Sequence, residues 1–210
     1  MSHSPQPRIL AEEDLARAHC YALISRLFYA APDEKLLESL CGAGSAVQAS
    51  SPDEMPAPGG FAEALGALQR ACRAADLEAL RQEYDDIFIG AGKALVTSYT
   101  SGYSLPHAPD RHLVSLREQF SAWGLARRDA VFEVEDHVSA LCDAMRWLIE
   151  GEHPLQVQRA FFEDYVYTGV GPFCDAIDAR ASTAFYRAAA ALTRAFLVVE
   201  KEGFALLASE

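Results

Sequence analysis

Phe132-Glu133-Val134-Glu135-Asp136-His137-Val138 runs straight into Ser139-Ala140-Leu141-Cys142-Asp143-Ala144-Met145-Arg146-Trp147-Leu148-Ile149, and this stretch decides the fold class. Val138, Leu141, Met145 and Leu148 recur at steps of three, four and three, which places them on one face of a helix. Three carboxylates and a histidine stand within five residues at its start. Acidic side chains in a first turn complement the partial positive charge of a helix N-terminus. The same cluster, set at the end of a buried helix, also reads as a binding edge. Both readings stay open on the sequence alone.

Helical periodicity extends outward on both sides. Residues 11 to 29 predict a helix with Glu12, Glu13 and Asp14 in its first turn. Ala16, Cys20, Leu23 and Leu27 form its main face, widened by Tyr21, Ile24 and Phe28. Pro32 ends it, and Asp33 caps a short helix that stops at Gly42. Residues 42 to 60 are rich in Gly, Ser, Pro and Ala and predict a mobile loop. A helix follows from Phe61 to Ala74. Asp76 caps the next, which carries Leu77, Leu80, Tyr84, Ile87 and Phe88 and is broken by Gly90 and Gly92. Asp110 to Trp123 forms a further helix closed by Gly124, and Gly151 ends the organising helix. Pro154 opens a helix with Val157, Phe161, Phe162 and Tyr165. Gly169-Val170-Gly171-Pro172 is read as interrupting it before a short helix through Ile177. Ser182 caps the last helix, whose inward stripe is Phe185, Ala189, Leu192, Phe196 and Val199. No segment alternates as a strand and no repeat of fixed period appears. The expectation is one all-α domain over residues 1–210, a bundle of eight or nine helices.

Composition agrees. Half of the 210 residues are hydrophobic and 23% are charged, as in soluble globular chains. Eighteen Lys and Arg against 30 Asp and Glu give a net charge of −12. Nucleic acid is disfavoured as a partner, because its phosphates require a basic patch. The polar start Ser2-His3-Ser4-Pro5-Gln6-Pro7 has no apolar core of a secretory signal, and Arg194 breaks the longest late apolar run, so no membrane span is expected. Five cysteines, at 20, 41, 72, 142 and 174, are odd in number and widely spaced. That suits free thiols rather than a disulfide framework or zinc site.

Catalytic signatures are missing. Gly90-Ala91-Gly92-Lys93 fails as a phosphate loop: Ile87 stands at the first glycine position and Ala94 where Ser or Thr should bind magnesium. Glu150-Gly151-Glu152-His153 matches a di-iron Glu-x-x-His once, at a helix end, with no second copy. Glu133 and His137 share a helical face, but further metal ligands are not evident. His19, His107, His112 and His153 show no partner pattern. The segment from Gly90 to Pro109 holds Tyr99, Tyr103 and three glycines. It is a candidate binding loop, or a loop whose tyrosines cover the core.

Four pieces together resemble the TorD/DmsD-type redox-enzyme maturation chaperones over nearly the full length. They are Tyr21-Ala22-Leu23-Ile24-Ser25-Arg26-Leu27-Phe28-Tyr29; Glu83-Tyr84-Asp85-Asp86-Ile87-Phe88-Ile89-Gly90 with the Tyr99 to Tyr103 loop; Glu133-Val134-Glu135-Asp136-His137 running into Leu141; and Gln158-Arg159-Ala160-Phe161-Phe162 followed by the Phe185-Tyr186 helix. Two departures are visible. Val134 stands where the family usually has proline, and the Gly169-Val170 region where it usually has tryptophan.

The resemblance implies a cytoplasmic, non-catalytic, cofactor-free chaperone with a TorD-like fold. It implies binding to the twin-arginine leader or the apo catalytic subunit of a molybdenum-containing oxidoreductase before cofactor insertion and export. Glu83 to Lys93 and Ala126 to His137 look most similar to formate dehydrogenase-associated members. The implied peptide-binding set is Asp136 and His137 on the polar rim, Tyr84, Phe88, Tyr99 and Tyr103 near the groove, and Glu133 and Glu135 adding charge. Carboxylates there would pair with guanidinium groups, and exposed aromatics would receive an apolar segment. A homodimer is left open. Two rivals remain: a metal- or small-molecule-dependent helical enzyme, and a regulatory adaptor for a folded partner.

Overall fold

The computed structural model describes residues 10–42, 60–90, 92–125, 135–182 and 184–207. In chain order the helices are α1 (Glu12–Tyr29), α2 (Glu34–Gly42), α3 (Phe61–Arg73), α4 (Leu77–Tyr84), α5 (Ser101–Ser104), α6 (Pro109–Ala122), α7 (Val138–Glu150), α8 (Leu155–Phe161), α9 (Thr168–Asp178) and α10 (Ala184–Leu207). A π-helical turn, Asp85–Ile89, extends α4, and another, Phe162–Tyr167, joins α8 to α9. Counting each π-interrupted rod once gives nine helices among the described residues. The all-α expectation is met. The one extended pairing among them is an isolated antiparallel bridge between Tyr99 and His137.

The organising helix is central. Val138, Leu141, Met145 and Leu148 are all fully buried, each contributing roughly 1.5–3 kcal/mol of apolar burial. α1 packs along α7, while α10 packs against α3 and α9. The Ser139 hydroxyl donates to the Ser25 carbonyl at 2.9 Å, a polar tie inside the α1–α7 contact. Caps fall where the sequence put them at two starts. Asp33 accepts from the Leu36 amide at 2.9 Å and Asp76 from the Ala79 amide at 2.8 Å.

Four details depart from the sequence reading. The buried face of α1 is Ala18, Tyr21, Ile24, Leu27 and Phe28, while Ala16 is exposed and Cys20 and Leu23 are half-buried. Residues 169 to 172 do not interrupt the helix; the rod from Leu155 to Asp178 is continuous, with Pro172 inside it. Gly169 serves close packing instead: a Cβ there would lie 2.5 Å from the Thr100 Cβ. Val199 is half exposed and Glu200, one residue on, is buried. Ser182 donates its amide and its hydroxyl to the buried Glu83 carboxylate, both at 3.1 Å. The loop expected over residues 42 to 60 lies, apart from its end residues, outside the described residues.

Candidate functional site

Gly90 ends the α4 rod with φ of +65°, where a Cβ would run into the Lys93 carbonyl oxygen. The chain then turns back, and the Val96 amide donates to the Ile87 carbonyl at 3.0 Å. From Val96 it runs extended alongside the residues that start α7. The Val138 amide donates to the Ser98 carbonyl at 2.9 Å, and the Thr100 amide to the Asp136 carbonyl at 2.8 Å. The Thr100 hydroxyl donates to that same carbonyl at 3.0 Å. Two stretches singled out separately in the sequence thus meet as one unit.

Asp136 and His137 are 2% and 5% exposed, so they lie beneath the surface rather than on its rim. His137 is the N-cap of α7, and its Nδ1 accepts from the Ser139 amide at 3.1 Å. In the neutral ring this puts the proton on Nε2. The Asp136 carboxylate instead accepts the Ser101 amide at 3.1 Å, at the start of α5. The cluster therefore caps two helices, one per residue, and the loop depends on both. Tyr99 covers the His137 ring edge-to-face at 5.6 Å and remains 39% exposed. Glu135 is paired with Arg117 of α6 at 3.1 Å. Glu133 lies outside the described residues.

Tyr84 and Phe88, expected near the groove, are buried and so present little surface of their own. They join an aromatic stack with Phe28, Phe173 and Tyr186. The Tyr84 hydroxyl donates to the Tyr29 carbonyl at 2.9 Å. Tyr103 reaches the stack through Phe173 at 6.4 Å, and its hydroxyl donates to the Thr97 carbonyl at 3.0 Å. Burial raises the Tyr103 phenol, keeping it a neutral donor. Tyr84, Phe88 and Tyr103 thus belong to a floor, and Tyr99 to the exposed face above it. Ile89 and Leu95, 60% and 54% exposed, flank the turn that leads into the loop.

Several contributors escaped the sequence reading. Ser98 and Thr100 provide the bridge, and Gly169 gives Thr100 its room. His112 of α6 stacks on Tyr165 at 5.2 Å, and burial lowers its pKa against the opposing pull of Asp136 and Asp164. An internal helical glycine was the available signal for the first of these contacts, since it often marks close backbone approach. Nothing in the spacing of His112 pointed to it.

The model of a family described as the nitrate reductase delta subunit matches residues 55–175, more than half of the chain. The chain belongs to this family. The resemblance to the TorD/DmsD-type redox-enzyme maturation chaperones is borne out at the family level. The matched span holds the Glu83 to Gly90 piece, the Tyr99 loop, the Asp136-His137 stretch and Gln158 to Phe162. A Haemophilus influenzae protein described as uncharacterized is 29% identical over 122 residues, 58% of this chain and 60% of that relative. The chain therefore matches less than two thirds of that relative's length. A solved chain from Archaeoglobus fulgidus, described as a candidate redox enzyme maturation protein, shares the fold. Its TM-score is 0.54 at 18% identity, covering 94% of this chain and 99% of that one.

Proposed function

We propose that this family member is a cytoplasmic maturation chaperone for a molybdenum-containing oxidoreductase. It binds the enzyme's twin-arginine leader, or another part of the apo catalytic subunit, through the face built by Tyr99–Ser104 and Glu135–His137. It acts before cofactor insertion and export, by binding rather than by catalysis. The observation that carries this reading is the backbone pairing of Tyr99 with His137. It joins two of the stretches that carry the family resemblance and leaves Tyr99 exposed above a buried aromatic floor. Ile89 and Leu95 offer apolar surface for the leader's apolar segment, and Glu135 offers a carboxylate that can exchange its Arg117 partner for a client arginine. Asp136 and His137 then act as positioning residues, holding the loop rather than touching the client. A formate dehydrogenase is the client that the sequence resemblance favours.

The test is a pull-down from the native cell, followed by calorimetric titration with the leader peptide of the co-purifying enzyme. Recovery of a molybdoenzyme catalytic subunit, with leader binding weakened by Tyr99→Ala at unchanged melting temperature, supports the proposal. A partner bound only as mature holoenzyme returns the protein to the adaptor reading.

A further inference from the structure

α6 is held unlike its neighbours. Leu116 is the one residue of its fourteen that is buried, against eight of thirteen in α7. Val114 stands 50% exposed on its outer side. Among the described elements its backbone packs closely only on α5, which precedes it. Toward α7, α8 and the π-helical turn it is joined by side chains. The Ser115 and Tyr165 hydroxyls meet at 2.8 Å, and Arg117 pairs with Glu135 at 3.1 Å. Phe120 lies 6.0 Å from Phe161. Trp123, the C-cap, lies 5.2 Å from Phe161 and 6.0 Å from Trp147. The chain leaves the helix at Gly124 with φ of +72°, where an added Cβ would meet no neighbour.

A buried mismatch lies under the same helix. His112 stacks on Tyr165, and its Nε2 is buried without a hydrogen-bond partner. Whichever tautomer the ring adopts, that atom is a donor without an acceptor or an acceptor without a donor while α6 is seated. Water satisfies it once the helix lifts. Few buried side chains, and a buried group that gains on release, mark a segment of low local stability.

We propose that α6 is a flap that lifts from the wall formed by Phe161 and Tyr165, latched by the Ser115–Tyr165 and Arg117–Glu135 contacts. Lifting bares the rings of Phe161, Tyr165 and Trp147 close to the Glu135–His137 stretch. The flap's coupling to a client rests on the chaperone reading: a client arginine that takes Glu135 from Arg117 undoes one latch and shifts the flap toward open. The flap itself stands without that reading.

Hydrogen exchange of the full-length protein, with no client present and read by mass spectrometry at neutral pH, tests it. A helix of fourteen residues is marginal in water without its packing, so lifting costs α6 its amide protection. α6 should exchange at least about 10-fold faster than α7. Ser115→Ala should speed exchange in α6 by about 3–10-fold, and Arg117→Ala by about 2–5-fold. Both substitutions fall at exposed positions, and α7 and α10 should keep their wild-type rates in each variant. Equal exchange of α6 and α7 overturns the proposal. So does an unchanged α6 in both variants, or acceleration of α7 and α10 in step with α6. Loss of leader binding would leave these rates untouched, and uniform exchange would leave the client-binding face intact, so the two proposals fail separately.

Discussion

Thr100 donates both its amide and its hydroxyl to one acceptor, the backbone carbonyl of Asp136, at 2.8 and 3.0 Å. Both residues are almost fully buried. This doubled contact, with the Asp136 carboxylate on the Ser101 amide, holds the Tyr99–Ser104 segment onto the start of α7.

Asp136 is therefore a test of position against charge. Asp136→Asn keeps an acceptor for the Ser101 amide and should change stability little. Asp136→Ala leaves that amide without its partner and should cost about 1–3 kcal/mol. Urea titration of both variants measures this. A large loss in Asp136→Asn would show that the negative charge itself is required. If leader binding falls only in Asp136→Ala, the residue acts through loop position.

Gly169→Ala should destabilise by about 1–3 kcal/mol, because its Cβ would sit 2.5 Å from the Thr100 Cβ. Thr100→Ser should fail to rescue it, since serine keeps that Cβ. Thermal melts of the single and double variants decide the point. Full rescue would mean that the obstruction is the threonine methyl.

Glu152 has φ of +52°, a left-handed backbone that glycine adopts more cheaply. The His153 amide closes the end of α7 on the Leu148 carbonyl at 2.9 Å, and Gly151 sits one residue too early to take the strained position. Glu152→Gly should raise stability by about 0.5–1 kcal/mol by denaturant titration. A loss would mean that contacts of the Glu152 side chain outweigh the backbone strain.

Alkaline pH should weaken the fold. Burial pushes the Cys20 and Cys72 thiols up to about 11, and raises Cys142 and Cys174 as well. Above the ordinary thiol range the unfolded chain releases these protons and the folded chain keeps them. Their contribution is complete below about pH 8.5 and is lost as pH rises toward the folded values. Denaturant midpoints between pH 7 and 10.5 should fall, and should fall less in Cys72→Ala measured relative to its own neutral value. Thiol titration of the native protein should be slow for most of the five cysteines; rapid modification of all five without unfolding contradicts the burial of Cys72, Cys142 and Cys174.

Arg17→Met should cost about 3–5 kcal/mol, because it leaves the buried Glu200 carboxylate with only the Tyr21 hydroxyl among these donors. Arg17→Met with Glu200→Leu should recover much of that loss. A double variant no better than the single would show that the side chains matter for packing rather than for charge.

Much of this was legible because it depends on nearest neighbours along the chain. Leu141, Met145 and Leu148 declare their face by spacing alone, and Asp33 and Asp76 cap within three residues of themselves. What was not legible depends on partners far away. The phase of α1 is set by α7, so Ala16 turns outward although it fits the period. Asp136 looked like a cap for its own helix and caps another, because the Ser101 amide arrives from 35 positions earlier. Tyr84 and Phe88 were correctly placed on the apolar side of their helix, but Phe28, Phe173 and Tyr186 bury them from three other elements. Gly169 reads locally as a helix breaker, and only Thr100 across the contact explains it.

Arg17 and Glu200 are 183 residues apart in sequence. Contacts of such separation form late and at high loop-closure cost. As the chain emerges from the ribosome, α1 carries Arg17 and Tyr21 into solution long before their carboxylate partner has been made. The α10 side of α1 therefore stays open until α10 has been made, and arrival of that helix closes it. A protein whose proposed task is to wait with an unfinished enzyme must itself wait, with one face of α1 unfilled, until 183 further residues have been made.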